Sequence, residues 1–173
     1  MAILHHVQKA RKANKEYGIK KGDSYYWWAF RYGGKHVSKT LPEPSQLINS
    51  KFLSSMISFG EVLDDINSAT DPIKTVDELK SYVESIISDI RQLGEECQEK
   101  LDNMPEGLQQ GSSGEILQNR IEESEAYAQD LEDVGLDDYD GPKPEEGKRL
   151  PYVFTLWVEE KLRQLRDKTY NGE

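Results

Sequence analysis

The chain has 173 residues, 36% hydrophobic and 31% charged, and its 22 Lys/Arg against 32 Asp/Glu give a net charge of −10. An apolar content below the ~45–50% of ordinary globular chains predicts a thin core with much exposed helix, not a thick α/β core. A single cysteine, Cys97, excludes an internal disulfide and a multi-cysteine zinc site, and no run approaches the ~18 consecutive apolar residues of a transmembrane helix.

The charge is unevenly distributed. Residues 1–40 hold nine basic and two acidic side chains, a net +7, whereas the other 133 residues hold 13 basic and 30 acidic ones, a net −17. Seven of the 16 aromatics also lie in the basic segment. Such asymmetry points to a binding partner.

The short apolar start before His5-His6 lacks a signal-peptide h-region, so a cytoplasmic chain is expected. Residues 4–16 read as a short basic helix or arm, and Lys20-Lys21-Gly22-Asp23 as a turn. Residues 24–32 (SYYWWAFRY) favour a strand. Gly33-Gly34 and then KHVSKT predict a β-hairpin with a two-residue loop, since glycine supplies the positive φ of primed turns. That loop would set Tyr32 opposite Lys35, Phe30 opposite Val37 and Trp28 opposite Lys39. Tyr26, Trp28, Phe30, Lys35, Val37 and Lys39 would share one face, and Trp27, Arg31 and His36 the other. An isolated hairpin is marginal in water, so one face must pack on a helix or on a partner.

Leu41-Pro42-Glu43-Pro44 is a stiff connector. From Ser45, the row Ile48, Phe52, Met56, Phe59, Leu63 and Ile66 has helical spacing, and Asp71-Pro72 breaks it. Thr75 and Glu78 form a capping-box pattern ahead of a seam at Val76, Leu79, Val83, Ile86, Ile90, Leu93 and Cys97, extended by Leu101. Gly94 interrupts that helix at a cost of ~1 kcal/mol relative to Ala. The stretch MPEGLQQGSSGE is a loop in which Ser112 and Glu115 repeat the cap spacing. Leu117, Ile121, Ser124, Ala128 and Leu131 continue the seam, with Ser124 and Ala128 small enough for a close helix approach. Residues 75–133 therefore read as an antiparallel coiled-coil hairpin. Residues 136–150 form an acidic linker, and Pro151 suits the N1 position of a last helix bearing Phe154, Val158, Leu162 and Leu165.

The expected fold is mainly α: an antiparallel helical hairpin or coiled coil with a small N-terminal β-hairpin. Its parts are 1–44 (basic aromatic arm and hairpin), 45–135 (helical bundle), 136–150 (acidic linker) and 151–173 (C-terminal amphipathic helix). The stripes allow either a homo-oligomer through the helical seam or an intramolecular three-helix bundle.

Residues 22–55 resemble, in outline, the small N-terminal arm-binding domain of tyrosine recombinases: an aromatic strand, a Gly turn, a basic strand ending in Lys39-Thr40, then a helix. The resemblance implies a three-stranded sheet packed on a helix and inserted into DNA. A third strand is not evident in the sequence, and the recombinase catalytic domain is absent. The whole chain is similar to small accessory proteins encoded by bacteriophages and prophages, through GIKKGDSYYWWAFRYGGKHVSKTLPEPSQL and EECQEKLDNMPEGLQQGSSGEILQNRIEESE. That implies a phage accessory role in the host cytoplasm, directed at host defence.

Interleaved cations and aromatics suit phosphate contact and base stacking, so Trp27, Trp28, Arg31, Lys35, His36 and Lys39 are the candidate binding residues, with Arg11, Lys20 and Lys21 as supporting charges. The same surface also suits a protein partner, or a purely structural cap of the helical body. His5, His6 and His36 have no metal-spaced partner. Asp138, Asp140 and Gly141 match the middle of an EF-hand loop, but Leu136 and Gly147 occupy its first and twelfth positions, so no calcium site is expected. Cys97 lies on the seam and reads as a small buried hydrophobe. No phosphate loop, GxGxxG or GxSxG is present. The expectation is a non-enzymatic binding protein without cofactor, contacting nucleic acid through the hairpin. The alternatives are a counter-defence inhibitor of a host protein acting through the acidic helices, and an oligomeric assembly protein.

Overall fold

In this computed structural model the described residues are 1–68, 73–145, 149–168 and 170. They fall into two compact units, Met1–Ser58 and Phe59–Glu173, and the protein is mainly α with a small N-terminal antiparallel sheet. The division between the units falls within the helix Lys51–Ser68, at 58/59. No helix among the described residues is long and apolar enough to cross a membrane.

The first unit holds three strands, His5–Val7 (β1), Tyr25–Phe30 (β2) and Gly34–Ser38 (β3), in the order β1-β2-β3. The expected helix or arm over 4–16 is thus partly a strand, the third one that the sequence reading missed. Its partners are set by the pairs His5↔Trp27 and Val7↔Tyr25. Between β2 and β3, Trp28 faces His36 and Phe30 faces Gly34, not Val37. The turn takes three residues, Arg31 to Gly33. Gly33 N–H donates to Phe30 O at 3.3 Å, and only Gly34 adopts positive φ (+79°). Gly33 is small for a different reason: a Cβ there would lie 3.1 Å from Phe30 Cβ and 3.3 Å from Asn49 Oδ1.

The pairing thus differs from expectation by three positions. Side chains alternate with period two, so an odd slip moves every β3 side chain to the other face. His36 joins Trp28 and Phe30, and Lys35 joins Trp27.

A 3₁₀ turn at Pro44–Leu47 follows, held by reciprocal Glu43 and Gln46 contacts. Helix α1 begins only at Lys51 (Lys51–Ser68), so Ile48 lies outside it. The break expected at Asp71-Pro72 lies outside the described residues.

The second unit is built on α2 (Val76–Asp102) and α4 (Ser112–Glu132), joined by a short helix α3 (Glu106–Gln109) where the sequence suggests only a loop. Thr75 caps α2 by accepting from Glu78 N at 3.1 Å, and the Glu78 carboxylate takes Lys74 N–H at 2.8 Å. The Ser112 cap does not form: α4 is led by Gly111 without a side-chain hydrogen bond. The helices are antiparallel, with Gly94 against Ser124 and the Arg91 guanidinium on Glu132 (2.7 Å) and Glu125 (3.3 Å). The seam is spent inside the chain: Leu79, Val83, Ile86, Ile90, Leu93 and Cys97 are all buried, as are Leu117, Ser124, Ala128 and Leu131.

Helix α5 (Tyr152–Asp167) starts one residue after Pro151, which is its N-cap. The expected linker is docked along its first half. Leu136 is buried, and Tyr139 packs edge-on to Phe154 at 5.3 Å. Asp138 takes hydrogen bonds from Lys161 Nζ at 2.8 Å and Trp157 Nε1 at 3.0 Å. Lys161 is 5% exposed, so Asp138 and the Val134 carbonyl (3.3 Å) are what its ammonium has in place of water.

Two outcomes test this packing. A Cβ at Gly94 would meet Ser124 Oγ at 2.3 Å but Ser124 Cβ at an ordinary 3.4 Å. Gly94→Ala alone is expected to destabilise by about 1–3 kcal/mol through overpacking. In a Ser124→Ala background it becomes neutral or stabilising by up to ~1 kcal/mol, the helix-propensity gain; denaturant unfolding of the four variants measures the coupling. The Asp138 carboxyl is held below its ordinary range by the Lys161 and Trp157 hydrogen bonds. Its stabilising contribution is present above the unfolded-state value, near 3.9, and is lost as pH falls through the lower folded value. Asp138→Asn is therefore expected to lower Tm at neutral pH, with the gap to wild type closing below about pH 4.

Candidate nucleic-acid interface

The two faces of the sheet differ. Trp28 is 5% exposed, and with Phe52 and Met56 it belongs to the buried hydrophobic residues of the first unit. The face carrying Tyr26, Trp28 and Phe30 is therefore the inward one. His36 stacks on Trp28 (5.5 Å, 14°) and meets Phe30 edge-on (5.4 Å). Trp28 is an anchor, not a presented ring, and its Nε1 has no hydrogen-bond partner among the described residues.

The opposite face carries His5, Val7, Tyr25, Trp27, Lys35 and Val37. Because β2 is central, Trp27 is flanked from both sides. His5 stacks on it from β1 (4.1 Å, 11°), and Lys35 Nζ lies 4.5 Å from its centroid on the β3 side. The indole is half-buried with both flanks occupied, which disfavours its use as a stacking platform and fixes the Lys35 ammonium at the surface.

The connection from Gln8 to Ser24 folds against this face. Asn14 and Ile19 form a backbone bridge (2.8 and 2.9 Å), closed by an Asn14 side chain that accepts from Glu16 N and by Gly18 at φ +61°. Buried Ile19 lies with Tyr25 and Val37 in the floor. Two adjoining concavities result. One, of about 120 Å³, includes Lys12, Tyr17, Tyr25 and Lys35; the other, of about 610 Å³, includes Lys9, Arg11, Lys12 and Lys15. Lys12, Asn14 and Tyr25 belong to both, and no carboxylate lines either.

Of the candidates, the structure brings Arg11, Trp27 and Lys35 to this surface. Trp28 and His36 lie on the other face. Arg31 sits in the turn, its guanidinium 5.4 Å over Tyr32. Lys39 is paired with Asp23 at 3.4 Å, and Lys20 and Lys21 are exposed at the Gly22 turn. Asp23 also accepts from Lys20 N at 2.9 Å; that bond, then Lys39, holds its carboxyl below the ordinary range. Lys9, Lys12, Lys15, Asn14 and Tyr25 were missed. The signal was the Asn14…Gly18 spacing, an Asx turn closed by a glycine, which a helical reading of 4–16 overrides. No cluster of three or more His, Cys, Asp or Glu suited to a metal occurs among the described residues.

No protein family, curated protein or solved structure matches this chain.

The two tryptophans are expected to separate. Trp28→Ala removes about 3–5 kcal/mol from a small unit and unfolds the sheet, read as loss of dispersed strand amide resonances with helical circular dichroism retained. Trp27→Ala leaves the strand resonances dispersed.

Proposed function

We propose that this is a non-enzymatic nucleic-acid-binding protein that grips the phosphate backbone of a duplex with the outward face of its sheet and the β1–β2 connection. The observation that carries this reading is the pair of adjoining concavities holding Lys9, Arg11, Lys12, Lys15 and Lys35 with no carboxylate in either lining. None of these five cations makes an ion pair among the described residues, so their field is available to an external polyanion. The occupied flanks of Trp27 and the burial of Trp28 favour backbone contact over stacking of unpaired bases. Support also comes from the resemblance of residues 22–55 to recombinase arm-binding domains, a family that inserts its sheet into DNA. The likeness to phage-encoded proteins suits an accessory role.

Fluorescence anisotropy with a labelled duplex tests this. Binding is expected to weaken with salt, with a log–log slope of about −4 to −5 if all five cations meet phosphates. Lys12→Ala with Lys35→Ala should lower affinity at least ~10-fold and reduce that slope by about 2. Undetectable binding to duplex and single strands at low salt would falsify the reading, and a preference for single strands would remove its duplex part.

A second reading, an inhibitor that offers its acidic helices to a basic cleft on a host protein, is supported by Asp77, Glu84, Asp89 and Glu95. All four are exposed on α2 and make no ion pair among the described residues. Affinity capture from bacterial lysate after nuclease treatment tests it; a basic host protein retained at low salt is the expected outcome, and an empty capture rejects it.

A further inference from the structure

We propose that this protein self-associates head to tail, the β2–β3 turn of one copy seating in a groove between α2 and the α4 end of the next. The inference is independent of the nucleic-acid reading, since neither Arg31 nor Tyr32 lines the cationic concavities.

The groove has a volume of about 730 Å³. Its floor is apolar, formed by Val83, Ile87, Leu131 and Leu136, each buried with only its edge at the surface. Its cations already have partners: Lys80 pairs with Asp137, and Arg91 with both Glu132 and Glu125, which leaves that edge with one excess negative charge. Glu84 and Glu95 also line it, both exposed and neither in an ion pair among the described residues. An apolar floor beside exposed carboxylates calls for a ligand with an apolar body and an attached cation.

The turn of the first unit has that chemistry. Tyr32 is 86% exposed, and the Arg31 guanidinium rests 5.4 Å over its ring. Ring and cation are joined by a tight, hydrogen-bonded turn, so little further ordering is needed on docking. Tyr and Arg are also the residues that most often dominate protein interfaces. The knob and the groove are built from different residues. The contact is therefore heterologous, and it propagates unless a ring closes it.

Sedimentation velocity of the full chain over a rising concentration series, at about 0.05 M and about 0.5 M salt, tests the proposal. At low salt the weight-average sedimentation coefficient is expected to keep rising with concentration, and at high salt to approach the monomer value. Arg31→Glu should remain monomeric, as should Glu84→Lys with Glu95→Lys. An equimolar mixture of these two charge-reversed proteins should associate again, because each then offers what the other lacks. All these positions are exposed, and circular dichroism verifies their folds. A wild-type monomer at every concentration overturns the proposal, as does saturation at a dimer, association that survives in both variants, or a mixture that stays monomeric. Duplex binding by the Arg31→Glu protein is read separately. Retained DNA affinity with lost self-association is the expected result; parallel loss of both places Arg31 on the DNA and overturns its assignment to the knob.

Discussion

The alternation of β2 is the constraint on which the first unit depends. Trp27 and Trp28 are consecutive, so one must point in and the other out. Trp28 takes the buried side, and the sheet then has one orientation open to it. The outward residue, Trp27, carries Lys35 on one flank and His5 on the other. The three-residue turn is what delivers Lys35 there, because the odd change of register exchanges the two faces of β3. A two-residue turn would have set Lys35 among the inward rings.

The charge division follows the structural one. The first unit, residues 1–58, holds ten basic and three acidic side chains, a net +7; residues 59–173 hold 12 and 29, a net −17. In the second unit many of the cations are consumed locally, by Arg91 on α4, by Lys161 on Asp138, by Arg163 on Glu160 at 2.7 Å and by Lys168 on Asp130 at 3.5 Å. In the first unit Lys39 pairs with Asp23 at 3.4 Å, and the β1–β2 connection is left strongly positive. The two units thus present opposite fields, one suited to polyanions and the other to basic surfaces.

The helical half was legible because its signals are local and periodic. The 3–4 spacing from Val76 to Cys97 and from Leu117 to Leu131 names the buried seam, and small residues on α4 predict the close approach. The counterpart, Gly94, was read only as a propensity cost; its use against Ser124 is a property of two helices and cannot be seen in one. The strand β1 was invisible because three residues carry no period. Its stability comes from His5 and His6 stacking on Trp27 and Tyr26 across the pair, contacts some twenty residues apart in sequence. The docking of 136–139 on α5 was hidden by its acidic composition, which reads as linker until Asp138 is placed beside a buried lysine. In the candidate site, charge and aromatic content pointed to the right segment but not to the right residues, since register and the Asn14–Ile19 bridge decide which side chains converge.

Cys97 is 2% exposed and is the chain's sole thiol. It lies between α2 and α4 near the Gly94–Ser124 contact, where an alkylating reagent can reach it only when the two helices part. Wild-type protein thus contains an intrinsic chemical clock for the breathing of its helical hairpin: the speed of thiol capture in native buffer reads out the free energy of local opening without any added probe.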